Sequence, residues 1–225
     1  MVRGEAHLKR YDFPVKAIYQ ASGPFDRCLR GFRKQKLEVP TAAEVVKVNI
    51  FIQDHPVTNA YKWVAEGVVY LRETGGALLV SRENNPILKA PFKAARANEK
   101  GKEFTLTKRI ADALCRKADF KDIYDVSGIL YVPEDKLKQD IPAEILPQSP
   151  VCSFLFGDSV KDFQRFLLSH NAPPVKLDLR PPRYCKSERP FARLLFLGGR
   201  LYQHCISDAF NLDYDEGQLF GFDYH

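Results

Sequence analysis

Residues 58–80, TNAYKWVAEGVVYLRETGGALLV, decide whether the middle of this chain is helical or folds as a pair of strands. Tyr61, Val64, Val68 and Leu71 recur at helical spacing. Against that, Val68-Val69-Tyr70-Leu71 is β-branched and aromatic, and Gly75-Gly76 separates it from a second apolar run, Ala77–Val80. Glycines take the positive φ that a tight hairpin turn requires, so 58–74 with its sequel reads as a hairpin in preference to a helix.

Further strands are expected on either side. Val46, Val48, Ile50 and Ile52 alternate with Lys47, Asn49, Phe51 and Gln53, a period of two that predicts a strand over Val46–Gln53. Val15–Gln20, Gly128–Val132, Val151–Phe156 and VKLDL at 175–179 read the same way, and Ala21-Ser22-Gly23-Pro24 is a turn signal. ARLLFLGGRLYQHCIS, 192–207, reads as two strands joined at Gly198-Gly199.

Two helices stand out. One follows Thr107 as cap, with Ile110, Ala111, Leu114 and Ala118 as its apolar stripe. The other follows Ser159, which with Asp162 has the spacing of a capping box, and turns Val160, Phe163, Phe166 and Leu167 inward before Asn171-Ala172-Pro173-Pro174 stops it. Residues 84–103 hold two prolines, Gly101 and many lysines, the composition of a long exposed loop or a short helix flanked by loops. The sum is a single mixed α+β domain with antiparallel sheet and a few helices. A subdomain boundary, if there is one, falls in the proline-rich stretch 133–150.

The 225 residues suffice for a real core, and 45% hydrophobic with 28% charged residues is an ordinary globular balance. The five cysteines are odd in number and form no CxxC pair, which fits a reduced, cytoplasmic setting. No run approaches the roughly 18 apolar residues of a membrane span, so no membrane partner is expected. Net charge is +6, yet residues 201–225 contain Asp208, Asp213, Asp215, Glu216 and Asp223 and no Lys or Arg. The rest of the chain is correspondingly more basic, and its summed field attracts polyanions while the acidic tail is free to fold back on it.

Three basic segments carry aromatic residues. The first has Arg27, Arg30, Arg33, Lys34 and Lys36 beside Phe25 and Phe32; the second has Lys89, Lys93, Arg96, Lys100 and Lys102 beside Phe92 and Phe104. The third has Arg180, Arg183, Lys186, Arg189 and Arg193 beside Tyr184 and Phe191. Cations neutralise phosphates while rings and guanidinium planes stack bases, so such loops or element edges suit single-stranded nucleic acid, RNA ahead of duplex DNA. A merely solvated basic surface would be written in the same letters.

Signals for catalysis are thin. FLFGDSVKDF has the strand, Gly-Asp-Ser, helix order of a serine-hydrolase nucleophile block, but no DxxH follows, and Asp158 and Ser159 are better explained as helix caps. The five histidines show neither HxH nor HExxH spacing, so no metal site is expected. His170 suits a helix C-terminus, while His204 with Tyr202 is the pair a metal-independent ribonuclease would use. Neither a P-loop nor GxGxxG is present, and no cofactor is expected.

The strand ending in Ala21-Ser22-Gly23-Pro24, the basic stretch after it and Pro40-Thr41-Ala42-Ala43-Glu44 resemble the opening of CRISPR-associated RAMP proteins, in particular the effector subunit that caps the 5′ handle of the guide RNA. Residues 195–200, LFLGGR, are similar to that family's LGR element. The resemblance implies a ferredoxin-like, RRM-like RNA-binding core with a protruding hairpin and no catalysis of its own. In that family a helix follows the Pro-Thr step, where the alternation here predicts a strand.

The leading expectation is therefore a non-catalytic RNA-binding subunit of a larger ribonucleoprotein assembly, with protein partners. The alternatives are a structural or interaction protein of a phage, virus or mobile element, and a small ribonuclease using His204 or His170.

Overall fold

The computed structural model describes residues 6–12, 17–52, 62–71, 75–118, 128–180, 189–198, 205–209, 212 and 218–222. In chain order, β1 (His7–Asp12) and β2 (Ala17–Ser22) precede α1 (Phe25–Lys34) and α2 (Ala42–Ile52). β3 (Lys62–Tyr70) and β4 (Ala77–Val80) lead to α3 (Pro86–Lys89), α4 (Pro91–Glu99), β5 (Phe104–Thr105) and α5 (Lys108–Lys117). β6 (Ile129–Val132) and β7 (Lys138–Ile141) are followed by α6 (Pro150–Phe156) and α7 (Val160–Ser169), then by β8 (Val175–Asp178), β9 (Phe191–Gly198), β10 (Cys205–Ala209) and β11 (Gln218–Phe222).

All these strands join one mixed, mostly antiparallel sheet, in the order β1-β2-β11-β3-β9-β10-β8-β7, with β4 and β6 attached through β3 and β5 through β9. A four-stranded ferredoxin-like unit would be only a part of it. β3 lies at the centre and is buried along its whole length. Val64, Val68 and Tyr70 enter one core with α2, α6 and α7. Trp63, Ala65, Val69 and Leu71 enter a second core with α1, α3, α4 and α5. A strand covered on both faces is mostly apolar on both, which is why KWVAEGVVY, Lys62 and Glu66 apart, shows no period of two.

The expected hairpin is formed, with Gly67–Tyr70 paired antiparallel to Ala77–Val80. The strands expected at Gly128–Val132 and 175–179 are present, as is the one at Val15–Gln20 in its described part. β9 and β10 pair antiparallel with Cys205 opposite Gly198; Gly199 lies outside the described residues. Thr107 caps α5 by accepting from the Ile110 amide at 3.4 Å, and Ala111 and Leu114 are buried, whereas Ile110 is 44% exposed and does not belong to the stripe. α7 buries the four residues expected of it.

Three expectations are corrected. The strand expected over Val46–Gln53 is replaced through Ile52 by helix, because Ala42–Ile52 is α2; Gln53 lies outside the described residues. Thr41 and Glu44 close a capping box, the Glu44 carboxylate accepting from the Thr41 amide at 2.7 Å and the Thr41 hydroxyl from the Glu44 amide at 3.2 Å. The helix also packs on two sides, Val45, Val46 and Ile50 against one cluster and Val48 and Ile52 against another. Apolar residues on both flanks produce an accidental alternation.

Val151–Phe156 is likewise helical, since Ser149 caps the Cys152 amide at 3.4 Å and Pro150 occupies the first turn, where its missing N–H costs nothing. Ser159, finally, makes no cap bond to the helix after it: it is the end of a 3-10 turn already in helical conformation, and Asp162 pairs with Arg165 at 2.6 Å.

Residues 84–103 are more ordered than a loop, forming α3 and α4. Asn85 caps α3 and also donates to the Ala65 carbonyl at 2.9 Å, lying so close to Gly67 that a Cβ there would meet its amide at 2.8 Å. The stretch 133–150 buries Leu137, Ile141 and Leu146 in the same core as β3. In the C-terminal region β10 and β11 lie inside the sheet and Asp208 is buried, while Asp213, Asp215, Glu216 and Asp223 lie outside the described residues. Among the described residues no helix is long and apolar enough to cross a membrane.

Candidate nucleic-acid interface

The first two basic segments are helical and lie side by side. α1 places Phe25, Cys28, Leu29 and Phe32 at i, i+3, i+4 and i+7, so one face is buried and Arg30, Arg33 and Lys34 are left on the exposed side, with Arg27 half-buried at its margin. Lys36, with φ of 57°, turns the chain away and is exposed. Phe32 has no exposed surface, so it anchors the helix and cannot stack a base. In α4, Ala94 and Ala95 face the core while Lys93 and Arg96 are exposed; Lys89 precedes the helix, and Lys100 and Lys102 follow it around Gly101.

Contact between the segments runs through Arg30, whose guanidinium carbon lies 5.2 Å from the centroid of the Phe92 ring. Phe92 remains 44% exposed. A large ring left in water beside a cation is the residue type that stacking chemistry uses. The sequence placed Phe92 beside the lysines but gave no sign that it, and not Phe32, is accessible.

The third segment divides. Arg183, Tyr184 and Lys186 lie outside the described residues, as do the candidate catalytic residues Tyr202 and His204. Arg189 is exposed and stands next to Pro190, whose carbonyl accepts from the Leu106 amide at 2.7 Å where β5 pairs with β9. That places it one short strand beyond Lys102. Arg193 is different: it is 3% exposed, flanked by Glu103 and Asp208. Burial alone would favour its neutral form, yet the hydrogen bonds it donates to Glu103 and the charge of Asp208 hold the guanidinium above its ordinary range. Asp208 also accepts from the Arg180 amide at 3.1 Å. Arg193 is thus a buried tie between β9, β10 and the approach to β5, withdrawn from the surface.

His170 is committed as the C-cap of α7, its Nδ1 lying 2.8 Å from the Phe166 carbonyl oxygen and 2.9 Å from the Ser169 hydroxyl, with the ring 4.5 Å from that of Phe166. Ser159 is 2% exposed, which removes the nucleophile reading of Gly-Asp-Ser. Burial pushes the Cys28 and Cys152 thiols up to about 12, so neither is a nucleophile at neutral pH.

Two buried charges on β3 went unread in the sequence. Lys62 is 4% exposed, and burial lowers its amine to about 7. Glu66 is 6% exposed, and burial raises its carboxyl to about 7 although it accepts from the Ala42 amide at 2.9 Å. Both sit within an otherwise apolar run, which was the available signal. Compared with known proteins, the chain matches no family model, no curated protein and no solved structure.

Proposed function

We propose that the exposed face of α1 and α4 binds single-stranded nucleic acid, RNA in preference to DNA, and that the chain serves as a non-catalytic subunit of a ribonucleoprotein assembly. The observation that carries this reading is Arg30 over Phe92, which brings two cationic segments some sixty residues apart in sequence into one surface with a half-exposed ring at its centre. Arg33, Lys34, Lys93 and Arg96 would hold successive phosphates, and Phe92 would take a base. Arg189 extends the basic surface past Lys102. The helix that follows Pro40-Thr41 is the element that the CRISPR-associated RAMP family carries at that point, and it supports membership of a guide-RNA effector complex.

The experiment is fluorescence anisotropy with a labelled single-stranded RNA, competed by unlabelled DNA of the same sequence and by duplex. Saturable binding that Arg30→Glu with Lys93→Glu abolishes supports the reading. Binding untouched by that double variant contradicts it.

A further inference from the structure

A cleft of about 520 Å³ opens on the side of the sheet remote in sequence from α1 and α4, and its walls are two strand edges. Among the described residues β6 pairs only with β4, and β7 only with β8. Following the pairing from β6 through β4, β3, β9, β10 and β8 leads to β7, so the first and last strands of this curled path face the same cleft. They are joined by one 3-10 turn, Glu134–Lys136, which closes one end. Leu130, Val132 and Ile141 contribute apolar floor, and Ile145, half exposed, stands at the lip.

We propose that this cleft accepts an extended segment of a protein partner, which pairs with the edge of β6 or β7 that no other described strand occupies and alternates apolar side chains with lysine or arginine. An unpaired strand edge offers a row of N–H and C=O groups that an extended backbone satisfies best, and the apolar floor takes alternate side chains. Charge selects the rest of the segment. Asp140 lines the cleft, Glu134 lies in the closing turn and Glu144 flanks Ile145. Around the cleft the carboxylates Glu134, Asp135, Asp140, Glu144 and Asp178 outnumber the lysines Lys136, Lys138 and Lys176, of which Lys136 lies 3.9 Å from Asp135, Lys138 lies 3.2 Å from Asp178 and Lys176, on β8, stands opposite Asp140. On a chain of net charge +6 this acidic rim repels phosphate backbones and favours a basic strand. The inference stands apart from the nucleic-acid reading and uses none of its residues.

The test uses the full chain and a fluorescein-labelled peptide of alternating valine and arginine, with a control N-methylated at every backbone amide. The control keeps the side chains and their charge but has no N–H on either edge with which to pair as a strand. The expected result is saturable binding of the first peptide, about tenfold weaker binding of the control and of Ile145→Arg and Asp140→Arg to the first peptide, and slowed amide exchange at 129–132 or 138–141 on binding. Ile145 and Asp140 are exposed, so these variants keep the fold. Absence of saturable binding, equal binding of the methylated control, or protection confined to other strands overturns the proposal. So does a concentration-dependent dimer that shields the same edges without peptide.

Discussion

The guanidinium of Arg30, on α1, covers one face of the Phe92 ring on α4 at 5.2 Å, and this pair is the point where two separate basic segments become one surface. Phe92 is held in place by its neighbours Pro91, Ala94 and Ala95, which are buried, while the ring itself keeps nearly half its area in water. Several large apolar side chains of this chain are as exposed as Phe92, and what distinguishes this one is the guanidinium over its face.

Replacing Phe92 by alanine should therefore weaken single-stranded RNA binding by about 1–3 kcal/mol, the usual worth of one base on an aromatic platform. The salt dependence should not change, because no phosphate contact is lost. Anisotropy titrations at several salt concentrations check both halves.

Arg193 tests the interior. Its substitution by methionine strands Glu103 and Asp208, 8% and 3% exposed at their side chains, without a counter-charge. The expected loss of stability in urea unfolding is about 3–5 kcal/mol, with the far-UV spectrum retained below the transition. Replacing all three residues by apolar ones of similar size should recover most of that loss.

The two buried charges of β3 give stability opposite pH dependences. Glu66 titrates at about 7 in the fold against 4.5 for its ordinary value, so between these pH values the native state holds a proton that the unfolded chain has lost, and stability falls as pH rises. Lys62, lowered to about 7 from 10.5, is deprotonated in the native state first, and its contribution improves as pH rises from 7 to 10.5. Glu66→Gln should accordingly gain on the parent by about 2 kcal/mol across pH 4.5–7, and Lys62→Met should lose its advantage across pH 7–10.5. Urea midpoints over that range, variant against parent, are the measurement.

Gly67→Ala should cost about 1–3 kcal/mol in the same assay, because the new Cβ would press on the Asn85 amide at 2.8 Å and disturb the bonds by which Asn85 joins β3 to α3.

What the sequence disclosed of this fold depended on how many sides each element packs against. α5 and α7 each have one buried face and showed their period; the hairpin β3–β4 was legible from its paired glycines and β-branched run. α2 lies between two apolar clusters, so its pattern mimicked a strand even though Thr41 and Glu44 already spelled its cap. α6 has only seven residues, too few for a period to distinguish helix from strand. At the candidate interface the cations were legible as letters and their fates were not: Arg30 and Lys93 are at the surface, while Arg193 is buried because Glu103 and Asp208, distant in sequence, close around it.

The central claim is that cations of α1 and α4 act together on one phosphate backbone, and the slope of log affinity against log salt concentration reads it most directly. For single-stranded RNA each phosphate contact contributes about −0.7 to that slope, so the triple variant Arg33→Ala, Lys34→Ala, Lys93→Ala should flatten it by about 2. An unchanged slope, or no RNA binding by the parent protein at low salt, would contradict the account.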